Sequence, residues 1–175
     1  MTQEFVLITG CSGGGKSALL DELRIRGYVT IAEPGRRIVA QELAGTGRAL
    51  PWVDMAAFAD RAVAMARTDL LMAKGVVFFD RGLIDAAVAL QFAKGTPYKK
   101  TLGAARHYSS KVFFAPPWEG IFAQDSERKH DFKSAVEEAG RLEGALTDLG
   151  YDICKLPKLP ITERAEFVLN EVHQG

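Results

Sequence analysis

Cysteine is nearly absent: the 175 residues contain two, Cys11 and Cys154. A small secreted fold held by cross-links would carry more, at regular spacing. The three histidines, His107, His130 and His173, are scattered and form no metal-type Cys/His pairing, so they are read as surface or packing residues. Long apolar runs are missing too. No stretch approaches the ~20 residues of a membrane-spanning helix. The first apolar run, 5–9, is too short and wrongly flanked for a secretion signal. These absences predict a cytoplasmic chain with no membrane partner. Neither sign of charge is in excess, since 22 Lys+Arg balance 22 Asp+Glu. Phosphate-backbone binding usually shows as a basic surplus, so nucleic acid is not expected as the main partner. No repeat, low-complexity tract or linker divides the chain, and one domain over 1–175 is predicted.

Five short apolar runs punctuate the sequence: FVLIT (5–9), YVTIA (28–32), VVFFD (76–80), KVFFA (111–115) and YDICKL (151–156). Each reads as a strand buried on both faces. Helical periodicity fills the intervals over 16–26, 53–75, 84–94 and 126–149, with a last helix over 162–172. Asp54 and Thr162 are expected as caps, and Gly75 and Gly150 as stops. Helical crossovers permit parallel pairing, so the expectation is an α/β fold with one parallel sheet between helices. Segments 45–52 and 95–108 carry no clear period and read as mobile.

The sharpest motif is GCSGGGKS, which matches G-x-x-x-x-G-K-[ST] through Gly10, Gly15, Lys16 and Ser17. It follows a predicted strand and opens a predicted helix, the context that gives this pattern its meaning. Glycines let consecutive backbone N–H groups turn inward as an anion nest, and the helix adds its positive end. Lys16 would place a charge near the β- and γ-phosphates of a bound nucleotide. Ser17 would offer a hydroxyl to Mg²⁺. The contact set is therefore Gly10, Cys11, Ser12, Gly13, Gly14, Gly15, Lys16, Ser17 and Ala18. Cys11 is read as a small filler of the loop. No guanine-reading N/T-K-x-D stretch occurs, which favours ATP.

Three further pieces surround this loop. VVFFDRG ends a strand on Asp80, the expected place for a Mg²⁺-holding acid, followed by Arg81. Arg81 would either clamp a phosphoryl oxygen or tie the strand end to the substrate region. IAEPGRR puts Glu33 at the carboxyl end of the second strand, where a parallel sheet carries its ligand crevice. Glu33 could take a proton from an acceptor hydroxyl, and Arg36 and Arg37 could bind an anionic part of it. The competing reading is an ion pair of Glu33 with Arg36. WEGIFAQDSERKHD follows the fourth strand as a candidate lid over 118–131, with Arg128 and Lys129 as late-arriving cations and Trp118 as a partner for adenine or for the core edge. Tyr98, Lys99 and Lys100 form a solvated loop or a further anion contact.

Taken together, GCSGGGKS, IAEPGRR, VVFFDRG, APPWEGIFAQDSERK and LPKLPITERAEFVL resemble the AAA-type P-loop family that includes the kinase domain of the NadR proteins. That resemblance runs along nearly the whole chain. It implies a three-layer nucleotide-kinase-like fold with strand order 2-3-1-4-5, with ATP and Mg²⁺ as cofactors. By the same resemblance Glu33 and Arg36 match an E-x-x-R, Asp80 and Arg81 match a D-R pair, and Arg128 lies where similar kinases carry a lid arginine. EP and DRG also look like deoxynucleoside-kinase motifs, but Gly82 stands where those kinases usually have serine. The chain beyond Asp80 is used up by two strands and three helices, so a ring-forming machine is not expected. Two functions follow. One is a kinase moving the ATP γ-phosphoryl group to a nucleoside-like, nucleotide or ribosyl acceptor, with Lys16, Glu33, Asp80 and Arg128 as its chemical residues. The other is an ATP-operated binding module with slow ATPase activity. Acceptor identity and oligomeric state stay open.

Overall fold

Alternation within the apolar runs decides which side chain faces which layer. The structure, a computed structural model, describes residues 3–122 and 131–174. It opens with β1 (Glu4–Gly10) and α1 (Lys16–Ile25), followed by β2 (Val29–Ile31), α2 (Pro34–Ala44) and α3 (Met55–Met72). Next come β3 (Val76–Asp80), α4 (Leu83–Lys94), α5 (Tyr98–Leu102) and β4 (Lys111–Ala115). A 3-10 turn (Glu119–Ile121), α6 (Phe132–Asp148), β5 (Asp152–Lys155) and α7 (Ile161–His173) complete the order. The five strands form one parallel sheet in the order β2-β3-β1-β4-β5. This is the predicted α/β architecture and strand order.

Odd and even positions of the central strands feed separate cores. Val6, Ile8, Phe78 and Phe113 pack with Leu19, Leu20 and Leu23 of α1 and Ala165 and Val168 of α7. Leu7, Val77, Phe79, Val112 and Phe114 pack with Ile38 of α2, Val63 of α3, Ile84 of α4 and Leu142 of α6. Burying each large side chain contributes roughly 1.5–3 kcal/mol, which is why a period of two in the strands suffices to orient the sheet. The two cysteines fall on opposite sides: Cys11 lies in the α2–α6 core, while Cys154 packs against the α1/α7 core.

Several details differ from the sequence expectation. No helix was anticipated after Glu33, yet α2 follows at once, with Pro34 in its first turn, where the missing N–H of proline does no harm. Segment 45–52 buries Ala49 and Leu50. Within 95–108 the chain forms α5, buries Leu102 and Tyr108, and ties Tyr98 and Lys99 to Asp148 of α6 at 2.6 and 2.7 Å. Those two residues thus cross-brace two helices instead of waiting for an anion. α3 begins at the expected cap, with the Asp54 carboxylate accepting from Ala57 N–H at 2.9 Å. The last helix starts one residue before Thr162, with Pro160 at its cap position. Arg128 and Lys129, with most of the lid expected over 118–131, lie outside the described residues. Among the described residues no helix is long and apolar enough to cross a membrane.

Candidate active site

β1 ends where its neighbours also end, so the loop after it opens at the carboxyl edge of the sheet. Ile8 is in register with Asp80 of β3, and Gly10 with Ala115 of β4. The loop then turns back: Gly14 N–H donates to Cys11 O at 3.1 Å, and Lys16 Nζ donates to the same carbonyl at 2.8 Å. Among the described residues, the N–H groups of Gly13, Gly15, Lys16, Ser17 and Ala18 have no acceptor. A row of unsatisfied donors at a helix start is suited to an anion. Gly15 has φ +78°, a conformation that side-chain-bearing residues rarely adopt. Ser12 faces a neighbouring cavity, and Ser17 and Ala18 are exposed at the head of α1. Lys16 is buried to 5% exposure, and burial, with the nearby Arg81 cation, lowers its pKa.

Ser17 and Asp80 meet beside the loop. Ser17 Oγ donates to Asp80 Oδ2 at 2.8 Å, while Asp80 Oδ1 is buried without a hydrogen-bond partner. Burial, reinforced by the Glu33 carboxylate, pushes the Asp80 pKa up to about 6. A hydroxyl next to a half-used buried carboxylate fits Mg²⁺, which takes one or two protein ligands and completes its shell with phosphate and water. Among the described residues no cluster of three His, Cys, Asp or Glu offers a fully protein-made metal cage.

Arg81 joins this edge to a second space. It has φ +56°, unusual for a residue with a side chain, and is 8% exposed. Its Nη2 donates to Gly10 O at 3.1 Å, and its Nη1 lies 2.6 Å from Glu138 and 3.5 Å from Asp85. Its Nε lies 3.6 Å from Glu33. Burial alone would lower its pKa, but Glu138, Glu33 and Asp85 outweigh it and hold the guanidinium charged. Asp85 and Glu138 were not found by sequence reasoning. Asp85 sits three residues after Gly82 and accepts from Gly82 N–H at 2.9 Å and from the Thr9 hydroxyl, a helix-start pattern that was legible in DRGLID. Burial raises its pKa. Glu138 lies within α6 and carried no local signal.

The space beyond Arg81 is a cavity of about 440 Å³. Trp52, Phe58 and Phe92 lie on its apolar walls, while Ser12, Glu33 and Arg36 line it on the polar side. Glu33 occupies the position before α2, without a side-chain capping bond, and faces Arg36 Nε at 3.7 Å. Both guanidinium contacts of Glu33 exceed hydrogen-bond length, and among the described residues no donor lies closer. Arg37 does not join it. It is a correction to the expected anion-binding pair: Arg37 turns to Asp69 of α3, with Nη1 at 3.2 Å from Oδ1.

Gly82 has an immediate steric reason. Its φ of −179° is open to any residue, but a Cβ there would fall 2.0 Å from the Tyr108 hydroxyl, which accepts from Leu83 N–H at 2.8 Å. Tyr108 thus occupies the place a serine side chain would need. Gly82→Ser is expected to destabilise the fold by ~2–3 kcal/mol through overpacking. Urea unfolding of the variant at wild-type stability would refute this account of the glycine.

A family model described as an AAA domain matches residues 5–164. No curated protein sequence matches the chain. Among solved structures, deoxyadenosine kinase from M. mycoides superposes with a TM-score of 0.64 at 15% identity, covering 98% of this chain and 100% of that one. A second structure of that kinase, with bound dATP, gives 0.64 at 14% identity over the same shares. Shikimate kinase from Acinetobacter baumannii gives 0.59 at 12% identity, over 99% of this chain and 94% of that one. Identities this low speak for the fold alone. The strand order, the glycine-rich loop at the sheet edge and a family match spanning nearly all of the chain place the protein in the AAA-domain family, with the fold of the P-loop nucleoside and nucleotide kinases.

Proposed function

We propose that the protein is an ATP-dependent kinase acting on a hydroxyl of a small molecule. One observation carries this reading: the cavity is lined by Ser12 of the phosphate loop and by Arg81, which bonds to Gly10 O, so an acceptor lying in it would meet the loop at close range. A volume of about 440 Å³ suits a nucleoside-sized or ribosyl metabolite. The chain's likeness to a deoxyadenosine kinase and a shikimate kinase supports a small-molecule acceptor.

The loop N–H groups and Lys16 would grip the triphosphate, and apolar walls would hold the acceptor's body with its hydroxyl toward Glu33. Glu33 has lone pairs not used in hydrogen bonds, so it would accept the hydroxyl proton as the acceptor oxygen bonds to the γ-phosphorus and ADP departs with the electrons of the broken P–O bond. Arg81, already balanced by three carboxylates, would hold Glu33 in place more than it clamps phosphate. Ser17 and Asp80 would hold Mg²⁺, which would supply charge neutralisation to the transferring phosphoryl group. Positioning and electrostatics supply most of the barrier reduction in this chemistry. Arg128, outside the described residues, is proposed as a lid cation.

An ATP-operated binding module would fill its crevice with side chains, and the open cavity weighs against it. The deciding experiment follows ADP production across nucleosides, nucleotides and ribosyl metabolites. One acceptor should raise turnover well above the basal rate; a uniformly basal rate would favour the binding module over the kinase. Glu33→Gln should lower the stimulated kcat by about 10²–10³ while MgATP affinity changes less than about twofold. Full stimulated turnover in that variant would remove Glu33 from proton transfer.

A further inference from the structure

The second buried arginine at the phosphate loop comes from the far end of the chain. Arg164 of α7 is 2% exposed, and its Nη2 donates to Gly14 O at 3.0 Å. A Cβ placed on Gly15 would lie 2.7 Å from its Nη1, so the guanidinium lies directly against that glycine. Its Nε is buried without an acceptor, and the Trp118 ring lies 5.6 Å away. Among the described residues no carboxylate lies within ion-pair distance of it. Arg81, by contrast, is matched by Glu33, Asp85 and Glu138. Burial lowers the Arg164 pKa with no opposing partner. An unmatched buried guanidinium is costly unless an anion compensates it.

The peptide joining Gly14 and Gly15 explains what this contact can do. In a trans peptide the C=O and the next N–H point in opposite directions, and no cis bond occurs among the described residues. Pinning Gly14 O on the α7 side therefore turns Gly15 N–H toward the nest, where it has no protein acceptor. A hydrogen bond to the carbonyl also polarises the N–H of the same peptide, strengthening it as a donor.

We propose that Arg164 is a positioning residue of the phosphate site: it fixes and polarises the Gly14–Gly15 peptide and lends the nest an unmatched positive charge, selecting for polyphosphate and not for the acceptor. This rests on the triphosphate reading of the loop. It links the C-terminal helix to nucleotide affinity and gives the last helix a role beyond covering the sheet.

The test uses the full chain with R164M, which keeps the apolar stem, and R164K, which keeps the charge without the fork. Calorimetry with MgADP and MgATP is expected to show affinity reduced about tenfold in R164M and about threefold in R164K. The acceptor KM should stay within about twofold. In ¹⁵N spectra without nucleotide, the Gly15 amide should shift in both variants while the core resonances stay in place. Should R164M not fold, R164K carries both readouts. Wild-type MgADP affinity in a folded variant, or an unmoved Gly15 amide, overturns the proposal. If the wild-type chain binds neither nucleotide, the triphosphate reading falls and takes this one with it. Wild-type binding with unaffected variants removes Arg164 alone.

Discussion

Asp80→Asn is expected to unfold at higher denaturant than the wild type and yet lose Mg²⁺-dependent nucleotide turnover. The stability half follows from the raised pKa. An aspartate that titrates near 3.8 in the unfolded chain titrates at about 6 in the fold, because burial and then Glu33 disfavour its charge. Between those two values the folded state holds the extra proton, so stability falls as pH rises from ~4 to ~6 and stays lowered above. The penalty at neutral pH is about 3 kcal/mol, two pKa units at 1.36 kcal/mol each. Asparagine keeps an acceptor for Ser17 Oγ but carries no charge. The variant's advantage should be greatest above pH 6 and vanish below ~4. Urea titrations at pH 4 and pH 7.5 check this; an equal difference at both would show that Asp80 ionisation is not the cause. The functional half follows from the unpartnered Oδ1: without a carboxylate there, Mg²⁺-dependent turnover should fall by about 10²-fold or more. In the wild type, MgATP affinity should weaken as pH drops below about 6, where the carboxylate takes up its proton.

Lys16→Ala is expected to lower MgATP affinity by about 100-fold, the scale of ~3 kcal/mol for a charge-assisted contact. Its ammonium has one hydrogen bond in the structure, to Cys11 O at 2.8 Å, and sits near the Arg81 cation. Burial and the Arg81 cation disfavour this ammonium more than the Asp80, Glu33 and Glu138 carboxylates favour it, so the nucleotide-free fold should lose less than ~1 kcal/mol. Loss of binding with an intact melting transition is therefore the predicted signature. Unchanged heat on titration with MgATP would show that the ammonium does not face the triphosphate.

The phosphate-loop edge of the site was more legible in the sequence than the cavity edge. Gly10 to Ser17 are contiguous, and a strand before them and a helix after them set their geometry locally. Asp80 could be placed because it ends an apolar run. α2 was hidden because EPGRR has turn chemistry at its head, while its buried Ile38 and Val39 form too short a stripe to overrule that impression. Arg37 looked equivalent to its neighbour Arg36, but one step of ~100° around a helix turns it toward Asp69 instead of the cavity. Gly82 reads in the sequence as a departure from a motif; its cause is Tyr108, 26 positions later, which fills the space a side chain would need.

The sequence by itself determined the parts that depend on neighbours along the chain: strand runs with their period of two, helix stripes, and a loop whose donors converge because consecutive residues allow it. Only the tertiary structure decided which distant groups share a charge. Thr9 meets Asp85 across 76 positions, and Arg164 reaches Gly14 across 150. Arg81 collects carboxylates from the residue before α2, from α4 and from α6. Charge balance inside a low-dielectric site depends on distance in space, and a parallel sheet with helical crossovers brings together strand ends that are far apart in sequence.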